Sequence, residues 1–385
     1  MAIALDFALA RQRRFFVTAE TTIGTFVKPA ATDAVKALKA NIGFTPSRKD
    51  RADSRQSRSV LARITGKTSV PFSIEKYLLP SGTAGTPPDD HLLLYAAIGA
   101  YTNTPATSDV YTLTAGQTIR TVSLIDEYSS RLMDMGSGAH VESFKITATG
   151  GDEPKLSYEG WCMGHAHTGT ALTEGSTANG ASSVVLESGQ GKNFNVGSVI
   201  QVGTSDGAGA GHQVTAVSTD TLTVTPTISG IQADASNVIP FVTSETTAGS
   251  PVTGIAGSLT IDGGSALPIL GFELSLANGI KVRDDEAFQE YPTGGIFDYR
   301  KVSGQISMRA RSDLIIELGR RKSFTARDFV VTLGSGAGTR AVIDLNFVQF
   351  DFADPDRADG DATIINLPFT SLGSVGEDEL TLSFT

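Results

Sequence analysis

The sequence predicts a mainly β protein: a β-sandwich or barrel with one short flanking helix and a small β domain inserted into it. Three observations predict this. With 41 glycines, 19% charged and 7% aromatic residues in 385, the composition suits many short strands joined by tight turns. Period-two alternation of apolar and polar residues recurs along the chain, giving each strand one face for a core. Between Thr168 and about Ser244 the chain becomes rich in Gly, Ser, Thr and Val and almost free of aromatics, which marks a second unit. The boundaries expected are 1–168 with 246–385 for the main domain and 169–245 for the insertion.

Taken in order, the chain begins with an arm carrying Phe15 and Phe16. "TIGTFVKP" then reads as extended, and "TDAVKALKA" as one or two helical turns starting at Thr32 or Asp33. "SRKDRADSRQSRS" packs Arg48, Lys49, Arg51, Arg55 and Arg58 beside Asp50 and Asp53, with nothing apolar larger than alanine to bury. It predicts a long solvated loop, or an arm that orders against a partner. Val70, Phe72 and Ile74 alternate with Ser73 and Glu75 as a strand. In "PSGTAGTPPDDHLLLYAAIGA", Pro87 and Pro88 stop a turn and Asp89 or Asp90 is available to cap free amides. Leu92, Leu93, Tyr95, Ala96 and Ile98 form an apolar stripe there, and Gly99 ends the helix.

Alternation resumes with Phe144, Ile146 and Ala148 opposite Ser143, Lys145 and Thr147, then Leu156 and Tyr158 opposite Ser157 and Glu159. The insertion offers short strands in "GSVIQVG", "GHQVTAVSTDTLTVTP" and "NVIPFV", enough for a small barrel or sandwich between linker-like flanks. Leu270, Phe272, Leu274 and Leu276 then oppose Glu273 and Ser275. Phe329 to Phe352 reads as two strands around a glycine-rich hairpin loop, and Leu380, Leu382 and Phe384 close the chain. No repeat of 20–50 residues recurs, which argues against a solenoid or propeller.

Charge and motifs exclude several functions. A net charge of -10 disfavours tight, sequence-indifferent binding to a polyanion. A single cysteine, Cys162, rules out an intrachain disulfide framework. The chain starts with an apolar run ahead of its charges, the reverse of a secretory signal, and no run reaches membrane-spanning length. The expectation is synthesis and use without crossing a membrane by the standard route, and no membrane insertion. "ITGKTS" lacks the glycine a phosphate loop needs five positions earlier, where Leu61 stands, and reads as strand. Cys162, His165 and His167 cluster in "GWCMGHAH", but zinc needs a fourth ligand and His91, His140 and His212 are scattered. A strand end leading into a linker accounts for this segment better.

The glycine-rich segments do not sit between a parallel strand and a helix, and no Gly-x-Ser-x-Gly elbow is present. The acidic groups at 284–286 and 354–361 lack calcium-loop spacing and read as solvated loops. The expectation is no enzyme, no cofactor and no metal.

"TIGTFVKP", the Arg/Asp segment at 48–58, "KYLLPSGTAGTPPDDHLLLYAAIG", "TATGGDEPKLSYEG" and "LGSVGEDELTLSFT" together resemble the tail tube protein, or major tail protein, of long, non-contractile-tailed bacteriophages. The resemblance covers most of the chain outside about 170–245, and its most specific piece is "PSGTAGTPPD" followed by "LLLYAAIGA". It implies a structural protein of the virion tail, assembled in the host cytoplasm, with the helix on the outer side of a sandwich whose other sheet faces a lumen. It also implies hexameric rings stacked head to tail. The partners implied are further copies of the chain, tape-measure protein and passing DNA in the lumen, and tail terminator and tail-tip proteins.

Arms and loops would supply the contacts between subunits. The residues nominated are Arg48, Arg51, Asp53, Arg55 and Arg58, the N-terminal arm at Phe15 and Phe16, and the C-terminal strand at Phe384. The insertion departs from a minimal tube protein and resembles the extra surface domain of some members. Six copies would carry -60 per ring, and a lumen that repels phosphate weakly is expected, with screening limiting its reach to ~8 Å. The alternative reading is a tail-tip or surface glycan-binding module.

Overall fold

A computed structural model of the chain describes residues 12–50, 63–115, 120–246, 249–309, 326–351, 364–374 and 376–385. Its centre is the strand Leu132–Thr149, 18 residues long and shared by two ladders. The first half runs between Val122–Tyr128 and Gly164–Thr168, and the second between Lys155–Trp161 and Gly271–Ala277, all antiparallel. The change of partners falls at Gly136 to Ala139, where the register shifts. Gly138 has φ 61, and a Cβ there would lie 2.7 Å from that of Met163. Only glycine turns the strand at this point.

Pairing spreads outward from this strand. Val122–Tyr128 carries Arg13–Ala19, whose Phe15 and Phe16 also pair with Ala34–Val35. Lys155–Trp161 leads to Pro71–Tyr77 and then Lys39–Ile42. Gly271–Ala277 leads through Lys301–Arg309 and Ile364–Ser371 to Ala341–Phe350. From Ala341–Phe350 one branch takes Arg327–Leu333 and Gly257–Ile261. The other takes Thr381–Phe384, Ser108–Leu113 and Gly99–Thr104. Among the described residues seventeen strands join in this way and wrap into a barrel.

The alternation read from the sequence points inward as expected. Phe72, Ile74, Phe144, Ile146, Leu156, Tyr158, Phe272, Leu274, Leu276, Leu382 and Phe384 all join one buried core. His91–Ile98 forms the single α-helix among the described residues, and Gly99 ends it at φ 114 with its N–H on the Tyr95 carbonyl. A Cβ at Gly99 would sit 2.6 Å from Cγ2 of Thr114, so glycine is required for contact as well as conformation. The helix buries more than the predicted stripe: Leu93, Leu94, Ala96, Ala97 and Ile98 are covered, while Leu92 and Tyr95 are half-exposed. Asp90 occupies the N-cap position without a side-chain cap, because its carboxylate and that of Asp89 are engaged by Lys76.

Three other expectations are corrected. Ala31–Asp33 is one 3₁₀ turn in place of the helix expected from Thr32 or Asp33. It is cut short because Ala34 and Val35 pair with Phe16 and Phe15, and strand pairing overrides local propensity. The start of the Arg/Asp segment is strand, with Thr45–Lys49 paired to Ile64–Ser69. The "GWCMGHAH" segment does not leave the sheet for a linker but re-enters it as Gly164–Thr168.

Residues 171–240 hold a separate six-stranded sheet in the order Ala171–Leu172, Asn237–Pro240, Val199–Val202, His212–Ser218, Thr221–Thr225, Ser183–Val185. It closes over its own core, which includes Phe194, Ile200, Val202, Leu222 and Val238. A third cluster joins the two units, packing Val199 and Val242 against Phe16, Ala34, Ile125, Met133 and Met135. No helix among the described residues is long and apolar enough to cross a membrane.

Candidate functional site

Two antiparallel hairpins stand outside the barrel pairing. Thr45–Lys49 pairs with Ile64–Ser69, and Ile280–Arg283 with Gly294–Phe297. In the first, every residue except Pro46, Lys67 and Thr68 is exposed. A two-stranded ribbon with no buried face is marginal in water. The hairpins support each other: the Thr68 N–H donates to the Glu290 carbonyl at 2.8 Å. Apolar groups project from both, with Phe44 and Ile64 on the first and Phe288 near the tip of the second. Phe288 is fully exposed at φ 65, a conformation unfavourable to a bulky side chain, and Tyr299 beside its base is 94% exposed. Aromatic rings are thus held in water on extensions of the barrel. Among the described residues Lys39–Ile42 and Gly99–Thr104 each pair with one strand and so end their ladders, with the Arg13 guanidinium donating to the Ala40 carbonyl.

Of the residues nominated from the sequence, Arg48 sits exposed on the first hairpin. Arg51, Asp53, Arg55 and Arg58 lie outside the described residues. Phe15 and Phe16 point to opposite sides of their strand, Phe15 into the barrel core and Phe16 into the cluster beneath the six-stranded sheet. Phe384 is buried with its ring edge-on to Tyr111 at 6.0 Å. These three rings pack within the protomer, and at each of them the strand is paired on both sides.

The opening Pro-Pro-Asp-Asp segment anchors the helix through charge. Lys76 is wholly buried and pairs with Asp89 and, at 3.0 Å, with Asp90. The Tyr158 hydroxyl donates to Oδ2 of Asp90 at 2.5 Å, and the Lys36 N–H to Oδ2 of Asp89 at 2.9 Å. Burial pushes the Asp89 carboxyl up from its ordinary range while Lys76 pulls it back down. Next to this network His91 Nδ1 hydrogen-bonds the Tyr111 hydroxyl at 2.8 Å, and Tyr101 donates to Asp109 at 2.6 Å. Burial and Asp109 push the Tyr101 hydroxyl to about 12. The group is packed and closed, so it positions the helix. Sequence reasoning missed Lys76, although a signal was present: it continues the inward alternation of Val70, Phe72 and Ile74.

The candidates for chemistry behave as structural residues. Gly66, Lys67 and Thr68 lie within a hairpin strand. Cys162 is fully buried and burial pushes its thiol up, away from the reactive thiolate. His165 faces Asp134 at 3.5 Å, and no group of three His, Cys, Asp or Glu side chains is placed to hold a metal among the described residues. Glu286 pairs with Arg283 at 2.6 Å within the second hairpin, while Asp354 to Asp361 lie outside the described residues. Comparison with known proteins agrees with an architectural reading. A family model described as phage tail tube protein matches residues 10–207, and no curated protein matches the chain.

Proposed function

This chain belongs to the phage tail tube protein family, and from that premise we propose that it polymerises as hexameric rings stacked head to tail, forming the conduit for DNA delivery. The family is structural and non-enzymatic and belongs to the virion tail. The observation that carries the reading is the combination of strands that end their ladders among the described residues with two hairpins bearing exposed aromatic rings. Edges complete their hydrogen bonds with neighbours in a ring. The hairpins, with Arg48 on the first, reach toward the adjoining ring, and Arg51, Asp53, Arg55 and Arg58 share in that contact. A head-to-tail contact that never closes yields a filament.

In this reading the six-stranded sheet is an inserted domain, 169–245, carried on the tube exterior by 1–168 and 246–385. Tape-measure protein and then DNA occupy the lumen, whose lining repels phosphate weakly. Tail terminator and tail-tip proteins close the two ends. Negative-stain imaging of the purified protein tests the proposal: hexagonal rings and stacked tubes are expected. Deleting residues 48–58 should leave folded subunits that make no tubes. Tubes of normal length from that variant would remove the arm from the contact.

A further inference from the structure

The two hairpins enclose a crevice of about 600 Å³. Its walls carry Lys49, Lys67, Thr68, Trp161, Val282 and Asp284. Two of these hold polar groups that the protomer leaves unanswered. Trp161 is 5% exposed and Thr68 2% exposed, yet neither the indole N–H nor the threonine hydroxyl has a hydrogen-bond partner among the described residues. A buried, unmatched donor costs about 1–3 kcal/mol, and both residues belong to the wall of this one crevice. Lys49 and Lys67 likewise make no ion pair among the described residues. Asp284 is the one carboxylate on the wall among the described residues.

The crevice therefore offers two ammonium groups, an indole N–H and a hydroxyl against a single acid. The indole N–H and the ammoniums only donate, so the complementary guest is an acceptor with negative charge. The chain itself supplies such groups in excess, with 41 Asp and Glu against 31 Lys and Arg.

We propose that this crevice is a socket for a carboxylate side chain of a second copy of the chain. The proposal rests on the tube-forming reading and names what its hairpins hold: an acidic group of the neighbour, desolvated against Val282 and bound by Lys49, Lys67, Thr68 and Trp161. A charge-assisted hydrogen bond is stronger than a neutral one. The socket also gives stacking a polarity, since the face presenting the hairpins is cationic at this point and the face it meets is anionic.

Trp161 is the only tryptophan in the chain, so tryptophan signals report this side chain alone. The test compares subunits and tubes by ultraviolet resonance Raman, reading the indole N–H band, and measures the concentration at which tubes form. The band should move toward a stronger hydrogen bond on assembly. Lys49→Glu with Lys67→Glu should raise the assembly concentration about tenfold or more, with the subunit's circular dichroism unchanged. Lys67→Arg, which keeps the charge, should assemble near the wild-type concentration. Short duplex DNA and inorganic phosphate should leave the band of the free subunit unmoved.

Tubes whose Trp161 band matches that of subunits overturn the socket and leave the tube reading intact. So does assembly of the double glutamate variant at the wild-type concentration. A band moved by DNA or phosphate in the subunit assigns the crevice to phosphate and also overturns the proposal. A wild-type protein that makes neither rings nor tubes at any concentration removes the tube reading together with the socket.

Discussion

The barrel and the six-stranded sheet draw on similar residues but are held together in opposite ways. Barrel strands interleave across the whole chain: Arg13–Ala19 lies beside Val122–Tyr128, and Thr381–Phe384 beside Ser108–Leu113. The small sheet pairs only residues between 171 and 240. Their polar interiors differ as well. The barrel buries ionised groups, with Lys76 against Asp89 and Asp90 and Glu127 under Arg14 at 2.9 Å. The small sheet buries hydrogen-bonded polar groups in their place, with His212 Nε2 joined to the Ser205 hydroxyl and Nδ1 to the Pro226 carbonyl, both at 2.8 Å. Local pairing closes short loops and makes a unit that forms without the rest, whereas long-range pairing must bring distant segments together first. The contrast explains why a compact sheet can be carried by a barrel without disturbing its ladders.

The largest effect that would break this contrast comes from the buried charges. Lys76→Met keeps most of the volume but strips two buried carboxylates of their counter-charge, and should cost about 3–5 kcal/mol. Urea unfolding of the barrel should register it in full, while amides of Val199–Val202 and His212–Ser218 keep their hydrogen-exchange protection. A loss below about 1 kcal/mol would mean that the ionic network does not hold the barrel. The converse substitution lies in the small core. Leu222 is fully buried as one of eleven apolar side chains described in this core, and Leu222→Ala should cost about 3–4 kcal/mol through the cavity it leaves. Protection should then fall in the six-stranded sheet alone. Equal loss in Phe144 or Leu274 would show that the two units unfold as one.

Acid separates the regions next. His140 is a barrel residue, stacked on Trp161 at 4.1 Å, with Nδ1–H donating to the Gly138 carbonyl at 2.7 Å. Burial lowers its pKa from 6.5 to about 4. The unfolded chain therefore takes up a proton between these values that the folded one refuses. Stability from this group is complete above pH 6.5, declines as pH falls toward 4, and changes no further below that. The loss is about 3 kcal/mol at most. His140→Phe should flatten the decline between pH 6.5 and 4 relative to wild type. Parallel pH profiles for the two proteins would rule it out.

Much of the barrel was legible because its strands bury one face: Phe272, Leu274 and Leu276 announce themselves by alternating with Glu273 and Ser275. Of the hairpin Thr45–Lys49 with Ile64–Ser69, the second strand was read in "ITGKTS" but its partner was not. A ribbon exposed on both sides has no period to read, and its arginines looked like a solvated loop. The long central strand was half-read, since Gly136, Ser137 and Gly138 resemble a turn in sequence yet bend a continuous strand. Asp89 and Asp90 were recognised as helix-start residues, but their partner lies 13 residues before Asp89, on a strand, and only the fold brings them together. The crevice was invisible for the same reason: Thr68, Trp161 and Asp284 come from three separate stretches of chain.

The smallest effect is the most discriminating, because it lies where the two regions meet. Thr168 and Ser198 are both fully buried, and the Thr168 hydroxyl donates to the Ser198 hydroxyl at 2.7 Å. Thr168 ends a barrel strand and Ser198 precedes the small sheet's Val199–Val202, so this bond crosses the junction beside the packing of Val199 on Met133 and Met135. Thr168→Val preserves shape and deletes the donor, while Ser198 still accepts from the Asn195 N–H at 3.0 Å. The expected cost is about 1 kcal/mol. Paired with Ser198→Ala in a double-mutant cycle, the two changes should couple by about 0.5–1 kcal/mol. Coupling of that size makes the junction a specified joint that fixes how the small sheet sits on the barrel. Strict additivity would mean that apolar contact alone seats it, and that the sheet is free to tilt on its support.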